Sequence, residues 1–296
     1  MEKAIAAINK LKSLNLETTD YLNILEIVKG IGKNFPAISM RLRAGQSIYR
    51  ARFHGENDRF YFDQDLKYKT DVHNVKNPGR ANPAISTAFY GSISTETIKD
   101  GFLISAQEGS NLIRNGKNGI ETLTIGKWVL KRDMYVPIML DTVNYRFQSE
   151  SIDKMYQDFI KIIKEHKSSE EFKKIISFVA GEFAKPVKKG NEHEYKISAA
   201  ISERLLDKGS CGIIYPSVQT KYQGYNIVLS PYVVDENLLL DQVIIAQQHV
   251  DGDNILFPQF EHAELVYPFD RQPLIYNQLD DSYKAGFKKP LPNIEH

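Results

Sequence analysis

GRANP (residues 79–83) and FYGS (residues 89–92) are the most informative segments of this 296-residue chain. The first places the guanidinium of Arg80 directly after a glycine turn, and the second places the phenol of Tyr90 on a short predicted strand. Ser-Thr-Glu-Thr follows at residues 94–97 and favours the beginning of a helix. A guanidinium, a phenol and nearby carboxylates together indicate a pocket for a ligand that carries phosphate and an aromatic ring.

Two other apolar segments carry polar side chains and are expected to complete the same pocket. IYRAR at residues 48–52 predicts a strand with two arginines, Arg50 and Arg52, and GIIYPS at residues 212–217 ends in Ser217. A buried guanidinium needs an anionic partner, because burying an unpaired charge is costly. The partner is either an acidic side chain in a structural ion pair, which composition alone favours, or a ligand diphosphate that the guanidinium binds bidentately.

Composition limits the partners that the chain is expected to have. Lys and Arg number 38 against 37 Asp and Glu, so the net charge of +1 gives no bulk attraction to nucleic acid or to an anionic membrane. Cys211 is the only cysteine, which excludes an intrachain disulfide and fits a reducing cytoplasm. No apolar run approaches the ~20 residues that span a bilayer, and residues 1–4 lack a signal-peptide core. We therefore expect a cytoplasmic protein.

Hydrophobic periodicity predicts helices and strands in separate blocks. The first forty residues predict two helices, the second capped by Thr19 and ended by Gly30 and Gly32. Further helices are predicted from Ser94 or Thr95 to about residue 105, over 151–186 with Ser168 as a cap, and over 195–206. Strands are predicted at 47–53, 86–90, 212–215, 225–229, 238–247 and 263–267, and within 119–139, with a long loop over 55–82.

This pattern indicates the α+β class, because strands and helices do not alternate regularly. It also divides the chain into a helical extension over residues 1–45, a main domain over 46–270 and an irregular tail over 271–296. Seven histidines are scattered without metal-ligand spacing, so no metal site is expected. Gly-Ile-Gly-Lys at residues 30–33 follows a helix and lacks phosphate-loop spacing, which favours a helix end there.

Taken in order, these segments resemble the RES domain, a family named for its Arg, Glu and Ser. The likeness runs over about residues 47–231; each motif alone is weak, and the order of all three is fairly specific. The family's Tyr-Arg strand is matched by Tyr49 and Arg50, and its Gly-Arg-aromatic-Asn-Pro turn by Gly79, Arg80, Asn82 and Pro83. Its strand end with Tyr and Ser before a Glu-Thr helix start is matched by Tyr90, Ser92, Glu96 and Thr97. Its late Gly-Ile-x-Tyr-Pro-Ser with Asn-x-x-Leu is matched by Gly212, Ile213, Tyr215, Pro216, Ser217, Asn226 and Leu229.

The resemblance implies an ADP-ribosyltransferase-like fold, with a split, mainly antiparallel β core surrounded by helices. It also implies a toxin that cleaves the nicotinamide–ribose bond of NAD+ by hydrolysis or phosphorolysis and is paired with a helix-turn-helix, Xre-type antitoxin. Two alternatives stay open: ADP-ribosyl transfer from NAD+, and a partner-binding module with weakened catalysis. The N-terminal helices guard the pocket, mediate a homo-oligomer, or do neither.

The chain departs from the family pattern at two positions. Ala81 replaces the aromatic residue after Gly-Arg, which alters an expected pocket wall. The catalytic acid is expected eleven residues after Tyr90, where this chain has Gly101. Asp100 and Glu108 are the two candidates. Glu108 is preferred because, if the helix is longer here and ends before the acid, the catalytic residue is still a glutamate.

The resemblance assigns a role to each candidate residue. Arg50 and Arg80 are expected to hold the diphosphate, and Asn82 to belong to the same binding segment. Tyr90 and Tyr49 would form a wall for the nicotinamide ring. Ser217 would bind a ribose hydroxyl or orient the acid, and Glu108, with Asp100 as competitor, would stabilise the charge on the ribose.

Overall fold

A computed structural model describes residues 2–31, 38–55, 58–95, 98–140, 150–165, 169–206, 210–265 and 274–278. The strands are β1 Ile38–Leu42, β2 Ser47–His54, β3 Phe89–Ile93, β4 Gly119–Leu130, β5 Met134–Ile138, β6 Gly212–Pro216, β7 Tyr225–Leu229, β8 Leu238–Asp251, β9 Asn254–Leu265 and β10 Leu274–Gln278. The helices are α1 Glu2–Lys12, α2 Tyr21–Lys29, α3 Asp63–Leu66, α4 Gly101–Gly109, α5 Asn111–Arg114, α6 Glu150–Lys164, α7 Ser169–Ala184, α8 Lys196–Leu206 and α9 Pro231–Asn237. Short 3₁₀ turns lie at Val72–Asn74 and Glu192–Tyr195.

All ten strands belong to one sheet in the order β1-β5-β6-β7-β3-β2-β4-β8-β9-β10. Every pairing is antiparallel except that of β5 with β6, which run parallel and pair at Ile138 and Ile214. The α+β class with a mainly antiparallel sheet is therefore confirmed. β-Branched residues are frequent in the long strands β4 and β8, where they fit the pleated surface at the centre of the sheet.

The sheet opens between β2 and β3, although the two strands are neighbours. They pair only at Ile48 with Ile93 and at Tyr49 with Ser92. Beyond this contact β2 continues along β4, while β3 continues along β7. Gly91 permits the close approach at the contact, since a Cβ there would lie 2.6 Å from Ile48 Cγ2. A cleft is therefore built into the sheet where the two strands diverge.

Helices cover the sheet through three hydrophobic clusters. One contains Trp128 and Phe89, whose rings meet edge to face with centroids 5.7 Å apart. A second cluster joins α1 and α2 to α7, α8 and strands β6 and β7. The third lies beneath α4, against β4 and β8. None of the helices in the described ranges combines the length and apolarity needed to cross a membrane.

Some predicted boundaries were wrong because local hydrogen bonds compete with helix formation. Asp20, not Thr19, caps α2, as its carboxylate accepts from the backbone N–H of Leu22 at 2.8 Å. The predicted helix start at Ser94 or Thr95 is replaced by a turn, in which the Thr95 hydroxyl accepts from the Ile98 backbone N–H at 2.8 Å. The helix begins instead at residue 101. Glu96, Thr97, Ser168 and Gly32 lie outside the described residues.

Other predictions missed short elements. The strand expected at residues 86–90 is Phe89–Ile93, because the preceding residues are held by the turn at 79–83. The loop at 55–82 contains α3 and a 3₁₀ turn. The tail expected to be irregular contains β10, which pairs with β9 at the edge of the sheet.

Candidate functional site

A cavity of about 310 Å³ occupies the cleft where β2 and β3 separate. Its volume lies at the lower end of the roughly 300–1,000 Å³ typical of ligand sites. Four of the eight predicted site residues line it directly: Arg50, Arg80, Tyr90 and Glu108. Asn82 and Ser217 hydrogen-bond to members of that group. Residues as far apart in the sequence as Arg50 and Ser217 therefore converge on one concave site.

Arg50 bridges the opening between the two strands. Its Nη1 donates to the carbonyl of Tyr90 at 2.7 Å, and its guanidinium stacks on Phe89, 5.2 Å from the ring centroid. Its Nε is buried without a hydrogen-bond partner. Burial, and then repulsion from Arg52, lowers the pKa of Arg50 to about 9, so the side chain stays cationic at neutral pH.

Arg80 is buried in a socket that leaves one edge of its guanidinium available. Its Nη1 donates to the carbonyls of Phe183 at 2.7 Å and Lys185 at 2.8 Å. The rings of Tyr195 and Tyr215 lie 4.8 Å and 5.9 Å from its central carbon, and Nη2 is 3.4 Å from the Tyr195 hydroxyl. Nε has no hydrogen-bond partner among the residues described. The Nε/Nη2 edge is the one that binds oxyanions bidentately.

The ion pair that composition favours is found for neither Arg50 nor Arg80. Across the described ranges, no carboxylate oxygen lies within 4.0 Å of either guanidinium. Arg52 does not line the cavity; it donates to the backbone carbonyl of Asp65 and lies over the ring of Phe60. Arg50 and Arg80 are therefore cations without an ion-paired carboxylate in the part of the chain described.

Glu108 lies in the last turn of α4, not beyond the end of a helix as expected, and is paired with Ser217. Its Oε1 accepts from the Ser217 hydroxyl at 2.6 Å and from the backbone N–H of Gln219 at 3.2 Å. Ser217 is fully buried, and its Oγ also accepts from the backbone N–H of Thr220 at 3.3 Å. Oε2 of Glu108 has no hydrogen bond to any described residue. One carboxylate oxygen is thus fixed and the other is available.

The position of Glu108 is unfavourable for the helix alone, since a negative charge near a helix C-terminus opposes the helix dipole. Three hydrogen bonds offset this. Ser217 and Gln219 donate to the carboxylate, while Nη2 of Arg114 donates to the Glu108 backbone carbonyl at 3.1 Å. Ser105, one turn earlier, accepts from the Ala51 backbone N–H at 2.6 Å and fixes α4 to β2. The acid is therefore held in place by tertiary contacts.

Tyr90 is hydrogen-bonded to two residues of the turn at 79–83, Asn82 and Ala81. The Tyr90 hydroxyl donates to Asn82 Oδ1 at 2.5 Å and accepts from the backbone N–H of Ala81 at 2.9 Å. Burial raises the pKa of Tyr90, so the phenol stays protonated and remains a donor. A Cβ at Gly79 would lie 2.7 Å from that hydroxyl, which explains the glycine. Asn82 lies behind Tyr90 and does not line the cavity.

Ala81, where the family has an aromatic residue, is buried in the cluster beneath α7 and α8. It does not line the cavity, so the expected change of a pocket wall is not found there. The smaller side chain instead belongs to the packing between the turn and the helices.

Tyr49 and Asp100 are brought together, but away from the other six residues. They line a separate cavity of about 130 Å³ with Phe102, Lys127 and Gln242. Side chains alternate between the faces of a strand, so Tyr49 points away from the side occupied by its neighbour Arg50. Of the two candidate acids, only Glu108 shares a cavity with Arg50 and Arg80.

Several cavity residues were missed in the sequence. Tyr195 ends the 3₁₀ turn directly before α8, and Arg114 and Glu192 line the same cavity from short elements. Ser92 donates to Asn226 Oδ1 at 3.0 Å in a buried pair between β3 and β7. Both residues belong to the shared motifs, but the sequence did not predict a role for them. No signal in the sequence marks Tyr195, because its contact with Arg80 spans 115 residues.

Comparisons with known proteins leave the identity of the chain open. No family model and no curated protein matches the sequence. Among solved structures, a chain from the crystal structure of the M. tuberculosis MbcT-MbcA toxin-antitoxin complex aligns with 8% identity and a TM-score of 0.34. The alignment covers 90% of this chain and 96% of that chain. At this TM-score the match carries no weight, and the fold class rests on the strands and their pairing.

Proposed function

We propose that this protein binds NAD+ in the cavity between β2 and β3 and cleaves the bond between the nicotinamide nitrogen and ribose C1′. The observation that carries the proposal is the Glu108–Ser217 pair inside a cavity that also contains the guanidinium groups of Arg50 and Arg80. An acid held beside two cations suits a substrate that combines a diphosphate with a sugar that becomes positively charged during reaction.

The diphosphate would be bound by the donors that the protein leaves unused. These are the Nε/Nη2 edge of Arg80 and the part of the Arg50 guanidinium that lines the cavity. Arg50, Arg80 and Arg114 face two lining carboxylates, Glu108 and Glu192, so three cations against two anions give the cavity a formal charge of +1. In a partly buried site a guanidinium binds phosphate oxygens strongly through paired, charged hydrogen bonds.

The bond cleavage follows from the position of the acid. As the C1′–N bond breaks, its electron pair goes to the nicotinamide nitrogen, which becomes neutral, and positive charge develops on the ribose as in glycoside hydrolysis. The Glu108 carboxylate stabilises that charge. In hydrolysis, a water oxygen bonds to C1′ and its proton passes to Glu108 and then to solvent. The products are nicotinamide, ADP-ribose and one proton; inorganic phosphate is the alternative acceptor.

The leaving group and the aromatic walls agree with this chemistry. Nicotinamide leaves as a neutral base, so no strong general acid is required, and none of the described residues that line the cavity is a histidine. Tyr90, Tyr195 and Tyr215 provide rings against which a planar nicotinamide or adenine would pack. Ser217 orients the acid through Oε1 and leaves Oε2 for the ribose.

A protein that cleaves NAD+ depletes a central metabolite, and the RES resemblance adds a toxin role with a helix-turn-helix, Xre-type antitoxin as partner. Both parts are proposals that follow from the enzymatic one. In cells, induced expression would lower NAD+ and arrest growth, whereas Glu108→Gln would do neither. Co-expression of an antitoxin encoded beside the gene would restore growth.

Purified protein incubated with NAD+ tests the enzymatic proposal through chromatographic detection of nicotinamide. Glu108→Gln and Arg80→Ala should each lower turnover by a factor of about 100 or more, since each removes a charged contact to the transition state. Asp100→Asn, in the other cavity, is the matched control and should retain activity. Isotope label from the ADP-ribose half found in solution indicates hydrolysis or phosphorolysis, whereas label retained on an acceptor indicates transfer.

Two results would contradict the proposal. One is full activity of Glu108→Gln with loss of activity in Asp100→Asn, which would place the chemistry in the smaller cavity. The other is a wild-type protein that binds NAD+ without releasing nicotinamide, which would favour a binding module. Thermal melting of each variant establishes that lost activity does not reflect unfolding.

A further inference from the structure

Lys196 joins the helical hairpin formed by α1 and α2 to the wall of the cavity. It is the first residue of α8, and its ammonium donates to the carbonyls of Leu16 at 2.7 Å, Thr19 at 2.8 Å and Glu17 at 3.4 Å, all in the loop between α1 and α2. These three bonds use its three N–H groups. A positive charge at a helix N-terminus is unfavourable for that helix, so the bonds to the hairpin account for its position.

The hairpin is held to α8 at a second point and through a shared core. The Tyr21 hydroxyl donates to Glu203 Oε2 at 2.7 Å, near the other end of α8. Ile24 of α2 and Ile201 of α8 are buried in one cluster, together with Phe183 from α7 and Ala81 from the turn that carries Arg80. The hairpin therefore belongs to the same packing unit as the socket of Arg80.

Tyr195, the residue directly before Lys196, is the contact between this unit and the cavity. Its ring covers the Arg80 guanidinium at 4.8 Å, and its hydroxyl lies 3.4 Å from Nη2. The opposite side of the socket is fixed by backbone carbonyls at the end of α7. A shift at the beginning of α8 would therefore move the Tyr195 side of the socket, whereas Tyr215, the other ring against Arg80, belongs to strand β6.

We propose that Lys196 is a positioning residue through which the N-terminal hairpin sets the affinity of the cavity for its anionic ligand. The bonds of Lys196 to the hairpin loop fix Tyr195 against Arg80, and Tyr195 in turn orients the Nε/Nη2 edge toward the ligand. The proposal rests on the proposed function only for the identity of that ligand, the diphosphate of NAD+. It gives the hairpin, which lies outside the RES resemblance, a role in binding.

Lys196→Met tests this, because it keeps the length of the side chain and removes the charged donors. Charged hydrogen bonds are worth more than neutral ones, and only part of the loss reaches Arg80, so we expect the KM for NAD+ to rise by a factor of about 3 to 10 with kcat changed less than about twofold. Hydrogen exchange of ligand-free protein should accelerate at residues 79–83 and 192–196. Lys196→Arg should restore both values, and Lys29→Met, at an exposed ion pair on the same hairpin, should change neither.

A double mutant separates this route from general loosening. In the Tyr195→Ala background, Lys196→Met should have no further effect on KM. Unchanged KM and unchanged exchange at residues 79–83 in Lys196→Met would overturn the proposal, as would additive effects in the double mutant. If Lys196→Met does not fold, Tyr21→Phe, which loosens the other connection, is measured in the same way. If wild-type protein does not use NAD+, the proposed function fails, while the exchange data still decide whether Lys196 positions the socket.

Discussion

Arg50→Met separates the cost of a buried guanidinium from its use in binding. The side chain is a cation without a carboxylate partner in the described structure, and its Nε is buried with no hydrogen bond. Methionine fills a similar volume without charge. We expect the ligand-free variant to be more stable than the wild type and to lose NAD+ binding, because the group that destabilises the fold is the one that the ligand would neutralise.

The magnitude follows from the pKa of Arg50, which burial lowers from 12.5 to about 9. At about 1.4 kcal/mol per pKa unit, the buried charge destabilises the folded state by at most about 5 kcal/mol. Methionine also removes the 2.7 Å bond to the Tyr90 carbonyl, and an unsatisfied carbonyl costs about 1–3 kcal/mol. We therefore expect a net gain of about 1–3 kcal/mol in the free energy of unfolding, in line with apolar replacements of other buried charges.

Urea unfolding followed by tryptophan fluorescence measures this difference. Trp128 is the only tryptophan, is buried, and meets the edge of Phe89, the ring beneath Arg50. Between pH 6 and 8 the gain should be constant, since Arg50 carries its proton in both states. It should shrink only above about pH 9, where the folded state releases that proton before the unfolded state does.

The matched control is Arg41→Met, at an exposed ion pair with Asp133, which should leave the urea midpoint nearly unchanged because exposed ion pairs contribute little to stability. A variant of Arg50 that is less stable than the wild type in the absence of ligand would refute the reasoning. So would one that keeps wild-type affinity for NAD+.

Two further predictions concern Gly91, where β2 and β3 meet, and Glu182 on helix α7. Gly91→Ala should destabilise the protein by about 1–3 kcal/mol in urea unfolding, because the new Cβ would lie 2.6 Å from Ile48 Cγ2; a change below about 0.5 kcal/mol would contradict the close approach of β2 and β3. Glu182→Gln should stabilise the protein at pH 7, because burial raises the pKa of Glu182 above its usual 4.5 and disfavours the charged carboxylate. The advantage should decrease as pH falls and vanish below about 4.5, where the folded and unfolded states both bind the proton; an advantage independent of pH would contradict this origin.

The elements that the sequence predicted best are those with strong periodicity. β2, β7 and α8 lie within one or two residues of their predicted positions. β7 is a short run buried on both faces and α8 carries apolar residues at helical spacing, whereas β2 forms although two arginines interrupt its apolar run. The start of α4 was wrong, because the hydroxyl of Thr95 closes a local turn that competes with the helix. β10 was missed, because the proline-containing tail has little hydrophobic periodicity and its strand is defined only by its pairing with β9.

The site shows the same division. Ser217 was predicted from the family motif and Glu108 from the expected position of the family's acid, and their 2.6 Å contact joins residues 109 positions apart. Side chains alternate along a strand, which places Tyr49 and Arg50 on opposite faces of the sheet. Tyr49 was nevertheless grouped with Arg50, because the family motif contains both. Tyr195 and Lys196 could not be found in this way, as neither belongs to a motif and both act across contacts of more than 100 residues.

The order of polar and apolar residues predicted the α+β class, because hydrophobic period is a local property of a chain. The motifs shared with the RES family named four of the residues that line the cavity: Arg50, Arg80, Tyr90 and Glu108. Tertiary structure decided which acid shares the cleft with the arginines, why those arginines lack acidic partners in the described ranges, and how the N-terminal hairpin reaches the socket of Arg80. These features depend on where β2 and β3 separate and on backbone carbonyls at the ends of distant helices. Every residue has a backbone carbonyl, so residue type does not show which carbonyls will bind a side chain.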